Sequence, residues 1–450
     1  MWDGSTWSDS GAITALTAVV ASGGNFAAAT GSAVQVYDAQ LPGWRTPQSV
    51  SGLTTVIGSG GNFAAIGSGV IWFWSHVDAS WTEFTVSGLV EVVASAGNFA
   101  ARDSSRVHAW CQIDASITPS PAVGGLSTLV GSDGNFATHN GAGAWAWDRA
   151  SQAWSASPPL AITELVPAGG NFAVRFSTGV SAWNQSTGIW TASPSFSVGA
   201  IQELIGSGGN FALRLTNRIH TWAQQSSTWG SGQQFGSGAL LGLIGSGGNF
   251  AAEVVNKVDA WNQASESWST SPSVSSGAML EVVGSGGNFA FRVTNRIYTW
   301  RSQASQWAAG PQYASGAVVD LIGSEGNFAA EIINKVDAWN QVTGSWSTSA
   351  TVSSGSILEI VGSGGNFAFR VSNQLHVFGA STSTWYTSQT YSGFQELIGA
   401  GGNFAIRLST SVLLYDDTTN AFHSAPISAD VIAGAAFPPC SSGSCFDANS

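Results

Sequence analysis

The 450-residue sequence predicts an all-β repeat fold, and three observations carry that expectation. The tripeptide Asn-Phe-Ala occurs eleven times, at Asn25, Asn62, Asn98, Asn135, Asn171, Asn210, Asn249, Asn288, Asn327, Asn366 and Asn403. Between these marks apolar residues alternate with period two, the strand signal, and no segment sustains a helical 3.6-residue period. Aromatic residues recur at two fixed offsets from each repeat asparagine.

The repeat spacings run from 36 to 39 residues and none contains an inserted linker. The repeat therefore covers 1–438 as one domain and leaves 439–450 as a Cys-containing tail. One unit, GLIGSGGNFAAEVVNKVDAWNQASESWSTSPSVSS from Gly242 to Ser276, divides into four extended runs. The first holds Leu243-Ile244. In the second, Phe250, Ala252 and Val254 alternate with Ala251 and Glu253. The third is KVDAW, and the fourth starts near Trp268. Gly-Ser-Gly-Gly, an Asn-Lys or Asn-Arg corner and a polar loop supply the turns, with glycine available where a hairpin needs positive φ. Four antiparallel strands in about 40 residues, repeated with aromatic punctuation, form the pattern of a β-propeller.

The position twelve after each repeat asparagine is always aromatic: Tyr37, Trp74, Trp110, Trp147, Trp183, Trp222, Trp261, Trp300, Trp339, Phe378 and Tyr415. The position nineteen after it is Trp in nine units, with Ile117 and Phe422 in the others. A tryptophan at one place in every unit is expected to pack blade against blade, with exposed stacking platforms for sugars as the other reading. The N-terminal WDGSTWS resembles the third and fourth strands of a unit, and the C-terminal SADVIAGAAF its first. Joined, they make a twelfth blade. The expectation is about twelve four-stranded blades, roughly 48 strands by that arithmetic, closed as one large ring by terminal strands sharing a blade, which removes exposed sheet edges. The alternative is two six-bladed propellers with a boundary inside the sixth unit near Thr216-Asn217.

Composition narrows the function. Only 9% of the residues are charged, and 14 Lys+Arg stand against 26 Asp+Glu for a net charge of −12. That balance argues against nucleic acid, whose phosphates need a basic footprint. Two lysines, Lys257 and Lys335, cannot make a polybasic membrane patch. No run approaches the about 18 apolar residues of a membrane helix, so no membrane insertion is expected. The N-terminus MWDGSTWSDSG does not read as a signal peptide, which leaves a cytosolic chain or a numbering that starts after processing. Three cysteines, Cys111, Cys440 and Cys445, are too few for a disulfide framework. Cys111 is expected in the core. Cys440 and Cys445 either close a small loop in the tail or stay as free thiols.

Chemistry is sparse. His108, His220 and His376 share a repeat position with Tyr298, Asp259 and Asp337, a tolerance that no metal-ligand column shows, and no His-x-x-x-His or Cys-x-x-Cys pair exists. No metal, cofactor or catalytic residue is therefore expected. Asn184-Gln185-Ser186 is the one glycosylation sequon noted. The residue four after the repeat asparagine alternates in sign along Arg214, Glu253, Arg292, Glu331 and Arg370. The hairpins alternate in step: Asn217-Arg218, Asn256-Lys257, Asn295-Arg296 and Asn334-Lys335. The true period is thus two units. The charge column predicts opposite charges on adjacent blades, either as a register device or as ligand sites in the grooves between blades. The eight hairpin residues are the candidate ligand-binding positions.

The unit LIGSGGNFALRLTNRIHTWAQQSSTW resembles the tectonin repeat, in Leu204-Ile205, Gly206-Ser207-Gly208-Gly209, Phe211 to Leu215, Asn217, Ile219 to Trp222 and Trp229. VDAWNQASESWSTSP is similar to kelch-type repeats. The tectonin resemblance implies a propeller that binds surface glycans at sites repeated around a ring. Two functions follow as expectations: a non-enzymatic, multivalent lectin gaining avidity from repeated weak sites, or a structural scaffold for protein contacts or self-association.

Overall fold

The structure, a computed structural model, describes residues 15–426 except 41, 42, 237, 276, 277, 410 and 420. The described residues form 45 strands and no helix. The strands fall into eleven consecutive antiparallel sheets, ten four-stranded and the first five-stranded. Numbered in chain order, these are sheet 1 (Leu16–Ser49), sheet 2 (Thr55–Thr85), sheet 3 (Glu91–Pro119), sheet 4 (Thr128–Ala156), sheet 5 (Ile162–Ala192) and sheet 6 (Ile201–Gln234). Sheet 7 (Leu240–Thr270), sheet 8 (Met279–Gln312), sheet 9 (Val318–Thr348), sheet 10 (Ile357–Thr387) and sheet 11 (Phe394–Pro426) follow. Within each sheet the strands pair in sequence order, except that the short fifth strand of sheet 1, Gln48–Ser49, pairs with the third. The twelfth blade expected from the two chain ends lies outside the described residues, as does the tail with Cys440 and Cys445.

The chain divides into two compact units. The first runs to Phe211 and includes Trp222–Trp229; the second holds Ala212–Thr221 and the residues from Gly230 onward. The division falls inside sheet 6, where the two-ring alternative sets its boundary. In the first unit the first strands of sheets 1 to 6 contact one another in succession, and in the second those of sheets 7 to 11 do the same. Short, sequential four-stranded sheets stacked through their first strands are consistent with a β-propeller.

The two aromatic columns behave differently. Every residue of the offset-twelve column is at most 3% exposed. It sits opposite the offset-nineteen residue of its own sheet, as in Trp261 with Trp268, and beside the Phe of Asn-Phe-Ala, with Phe250 and Trp261 centroids 5.6 Å apart. The offset-nineteen residues are half-buried, except Trp307 at 9%. Several donate their indole N–H to the fourth strand of the preceding sheet: Trp154 to Thr118 O, Trp229 to Thr191 O and Trp385 to Ser347 O, at 3.2–3.3 Å. Both columns pack sheet on sheet, the buried one as core and the outer one as its rim. Cys111 is fully buried, as expected.

The Gly-Ser-Gly-Gly-Asn turn is a latch between sheets. The Asn25 side-chain amide donates to Gly61 O of the next sheet, and the series continues through Asn171 to Gly209 O. In the second unit it runs from Asn249 to Gly287 O through Asn366 to Gly402 O. In return the second glycine's N–H of the following sheet donates to the serine of the preceding one, as Gly287 does to Ser246 Oγ at 3.0 Å. The sheets approach so closely that a Cβ on Gly247, whose φ is +49°, would lie 2.5 Å from Gly287 N. Only glycine fits there without shifting backbone.

A second latch gives the two-unit period its physical meaning. In sheets 5, 7 and 9, Asn184, Asn262 and Asn340 donate to Gln224 O, Ser302 O and Ala380 O of sheets 6, 8 and 10, and to Ser227, Ser305 and Ser383 Oγ. Sheets 6, 8 and 10 carry Ala223, Arg301 and Gly379 at that place. The sequon residue Asn184 is therefore 1% exposed with its amide committed to the next sheet, a poor acceptor for a glycan.

Candidate functional site

Each sheet places its second-to-third-strand hairpin at the end opposite the Gly-Gly turn. The linker to the next sheet runs at that same end. The link is direct: Asn217 O accepts from Phe235 N, Asn256 O from Val274 N, Asn295 O from Tyr313 N and Asn334 O from Val352 N, all at 2.8 Å. The four predicted asparagines thus use their carbonyls to hold the outgoing linker.

The four predicted cations separate into two kinds. Arg218 Nη2 donates to Gln234 Oε1 and Arg296 Nη2 to Gln312 Oε1, each at 2.9 Å on the exposed surface. Lys257 and Lys335 turn inward instead. Lys257 Nζ lies 3.1 Å from Asp259 Oδ2, and Lys335 Nζ lies 3.2 Å from Asp337 Oδ2, both aspartates being fully buried. Each ammonium also sits over a linker ring, Phe235 at 5.7 Å and Tyr313 at 5.5 Å. Tyr313 Oη donates to Asp337 Oδ2 at 2.6 Å, and burial together with that carboxylate pushes the phenol well above its ordinary range. Phe235 offers Asp259 no such hydroxyl. Burial of an acid demands a partner, and the sequence reading missed these two pairs because their column also accepts His and Tyr.

The alternating charge column corrects one expectation. Arg102, Arg175, Arg292 and Arg407 find their anionic partners in their own sheet, not on the adjacent blade, while Arg370 lies over the Phe394 ring of the next sheet. Arg292 Nε bonds Glu281 at 2.8 Å, Arg102 pairs with Glu91, and Arg407 with Glu396. The guanidinium then reaches a carbonyl at the start of the following sheet, Val318 O of the first strand for Arg292 and Leu126 O, just before the first strand, for Arg102. Where the column is acidic the facing first-strand residue changes: Gly242 faces Glu253, and Asp320 faces Glu331. Burial, and then the nearby Asp320 charge, raise the Glu331 carboxyl above its usual range. The alternation is a cross-strand pattern within each sheet.

Sheet 5 keeps this pairing, with Glu164 facing Arg175, but differs in its hairpin. An open depression of about 450 Å³ lies at its hairpin end, lined by Thr163, Glu164, Arg175, Phe176, Ser177 and Gly199. Arg175 Nη1 is 3.4 Å from Glu164 Oε2, and its Nη2 donates to Ile201 O at 2.6 Å. These residues stand outside the predicted set, although their hairpin is repeat-equivalent to Asn217-Arg218. The available signal was a pair of differences from sheets 6 to 9, Phe176 in place of an aliphatic residue and Gly179 in place of a cation.

Among the described residues no group of three or more His, Cys, Asp or Glu side chains is placed to hold a metal ion. No family model and no curated protein matches the chain. Solved structures match it only distantly. The extracellular domain of a putative one-component system from B. thetaiotaomicron aligns with 92% of this chain and 72% of its own, at 8% identity and a TM-score of 0.23. Virginiamycin B lyase from Staphylococcus aureus aligns with 55% of this chain and 90% of its own, at 12% identity and a TM-score of 0.27. For the tricorn protease the shares are 89% and 46%, at 10% identity and a TM-score of 0.27. Superpositions this loose leave the architecture to be read from the chain's own strand pairing.

Proposed function

We propose that the chain is a non-enzymatic, tectonin-like propeller that binds carbohydrate at several weak sites on its hairpin end. The observation behind this reading is the recurrence of exposed guanidinium–amide pairs, Arg218 with Gln234 and Arg296 with Gln312. Hydroxyl-rich ligands suit such donor- and acceptor-bearing surfaces, and repetition converts weak contacts into avidity. The positions put forward are Asn217, Arg218, Asn256, Lys257, Asn295, Arg296, Asn334 and Lys335, with surface glycans as partners. A glycan array and haemagglutination test it: sugar-inhibitable binding supports the lectin.

A scaffold for protein contacts or self-assembly is the second reading. It is favoured by the expenditure of the repeat asparagines and serines on sheet-to-sheet latches. Absence of glycan binding together with oligomers or filaments would favour it over the lectin.

The ring is part of the same proposal. The repeat arithmetic gives twelve blades closed once, the last blade shared by residues 2–8 and 429–437. Cysteines at Ser8 and Ser428, tried at several registers, should cross-link under mild oxidation. Failure at every register, with cross-links from the N-terminus to residues 204–214 instead, would establish two six-bladed rings.

A further inference from the structure

Repeat proteins carry specific sites where one unit abandons the pattern of the others. Sheet 5 differs from sheets 6 to 9 at two positions of one hairpin. Sheets 6 to 9 hold Arg218, Lys257, Arg296 and Lys335 at the place of Gly179. Phe176 is the only aromatic residue in its repeat column, where sheets 7 to 9 have Val254, Val293 and Ile332. Those aliphatic side chains are 3–5% exposed, whereas Phe176 is only half-buried. The two departures belong together: the Phe176 ring tip lies 2.7 Å from where a Cβ on residue 179 would stand, so the missing side chain makes room for the ring. Sheet 4 also has a glycine, Gly143, but it carries His139 and Asn140 in place of Arg175 and Phe176.

Beside the ring stands a fixed ion pair. Arg175 is oriented by the Ile201 carbonyl at 2.6 Å and pairs with Glu164 at 3.4 Å. Both ends stay accessible, the arginine side chain at 28% and the glutamate at 41%. Exposed Thr163 and Ser177 flank the pair. The depression therefore offers an aromatic face, a guanidinium donor, a carboxylate acceptor and hydroxyls, with no net charge.

We infer that this depression is a binding site for a neutral hexose unit, whose C–H face lies on Phe176 and whose adjacent hydroxyls bridge Glu164 and Arg175. A sugar ring presents one apolar face and a rim of hydroxyls, the complement of these groups. The mutual neutralisation of Glu164 and Arg175 disfavours an anionic sugar, which would have to displace Glu164 from the guanidinium. A preoriented guanidinium lowers the ordering cost of binding. The inference rests on the lectin reading above and assigns it a site that the repeat-equivalent hairpins lack.

The test is calorimetric titration of the full chain with neutral methyl hexosides and with the matching hexuronates, alongside Phe176→Leu and Gly179→Arg. Leucine at 176 is what sheet 6 has as Leu215, and arginine at 179 is what it has as Arg218, so the two variants restore the common pattern by separate routes. The expected result is millimolar binding of a neutral hexoside, weakened at least tenfold in both variants, with β-sheet spectra unchanged. If one variant misfolds, the other still decides. Binding of the hexoside with undiminished affinity in a folded variant overturns this site and leaves the lectin reading standing. Tighter binding of the hexuronate overturns the neutral class. No binding of any hexoside, on a chain that also ignores a glycan array, overturns both the site and the lectin reading.

Discussion

The Asn288 side-chain amide donates to the carbonyl oxygen of Gly326, 38 residues further on, at 2.9 Å. The same amide reaches Gln341 Oε1 at 3.0 Å, and Asn288 Oδ1 accepts from Ser302 N and Oγ. One buried side chain thus ties two strands of its own sheet to the next. Asn288→Ala should cost about 2–4 kcal/mol, because it orphans buried groups on both sides of the junction. Asn288→Asp should cost more at neutral pH, since the carboxylate faces the Gly326 carbonyl and needs a partner that is not there. Denaturant titration followed by tryptophan fluorescence checks both. A midpoint unchanged in either variant would show the latch to be dispensable.

The aromatic columns should separate in the same measurement. Trp261 is 1% exposed, and Trp261→Ala should cost about 3–5 kcal/mol. Trp268, half-buried in the outer column, should cost less on truncation, about 1–3 kcal/mol. Equal losses would mean that the rim carries as much packing as the core. A variant at 261 that melts like wild type while losing ligand would turn the inner column into a binding surface.

How much of this is legible without coordinates depends on whether the partner is local. Alternation in NFAAEVV and the glycine turns identify the strands, because both are properties of neighbouring residues. The two tryptophan offsets mark sheet packing, yet offset alone does not say that Trp261 is core and Trp268 rim. That follows from the next sheet covering one and only partly the other. The alternating signs of Arg292 and Glu331 are visible, whereas their partners Glu281 and Asp320 sit eleven residues before them on the facing strand. Reading the column blade to blade therefore pairs the wrong charges. Gly179 in a turn column looks like an ordinary turn residue until Phe176 is seen leaning across it.

Twin sites on sheets 7 and 9 provide an internal comparison. Tyr313 Oη bonds the buried Asp337, but Phe235 leaves Asp259 with Lys257 alone among its ionic and hydroxyl partners described here. Tyr313→Phe should cost about 1.5–3 kcal/mol, the range for a hydrogen bond to a charged group. Phe235→Tyr should recover part of that amount as added stability at sheet 7. Opposite signs in thermal melts would confirm the equivalence of the two sites. Destabilisation by both changes would show that the Phe235 pocket has no room for a hydroxyl.

The Asp320–Glu331 pair makes a prediction about pH. Burial and the neighbouring Asp320 raise the Glu331 carboxyl, so the folded chain holds this proton to higher pH than the unfolded chain does. A raised carboxyl contributes stability that is fully present below the unfolded value, about 4.3 for glutamate. That contribution is lost as pH rises through the folded value. Near neutral pH the charge at 331 is therefore a liability, and Glu331→Gln should raise the melting temperature there. Near pH 4 the difference from wild type should vanish, because both side chains are then neutral. Glu281→Gln is the contrasting control, since it removes the ion partner of Arg292 and should lower the melting temperature at neutral pH. Melts of the three proteins across pH 4 to 8 decide the matter. If Glu331→Gln lowers the neutral-pH melting temperature as Glu281→Gln does, Glu331 has a favourable cationic partner and the acidic pair is not repulsive.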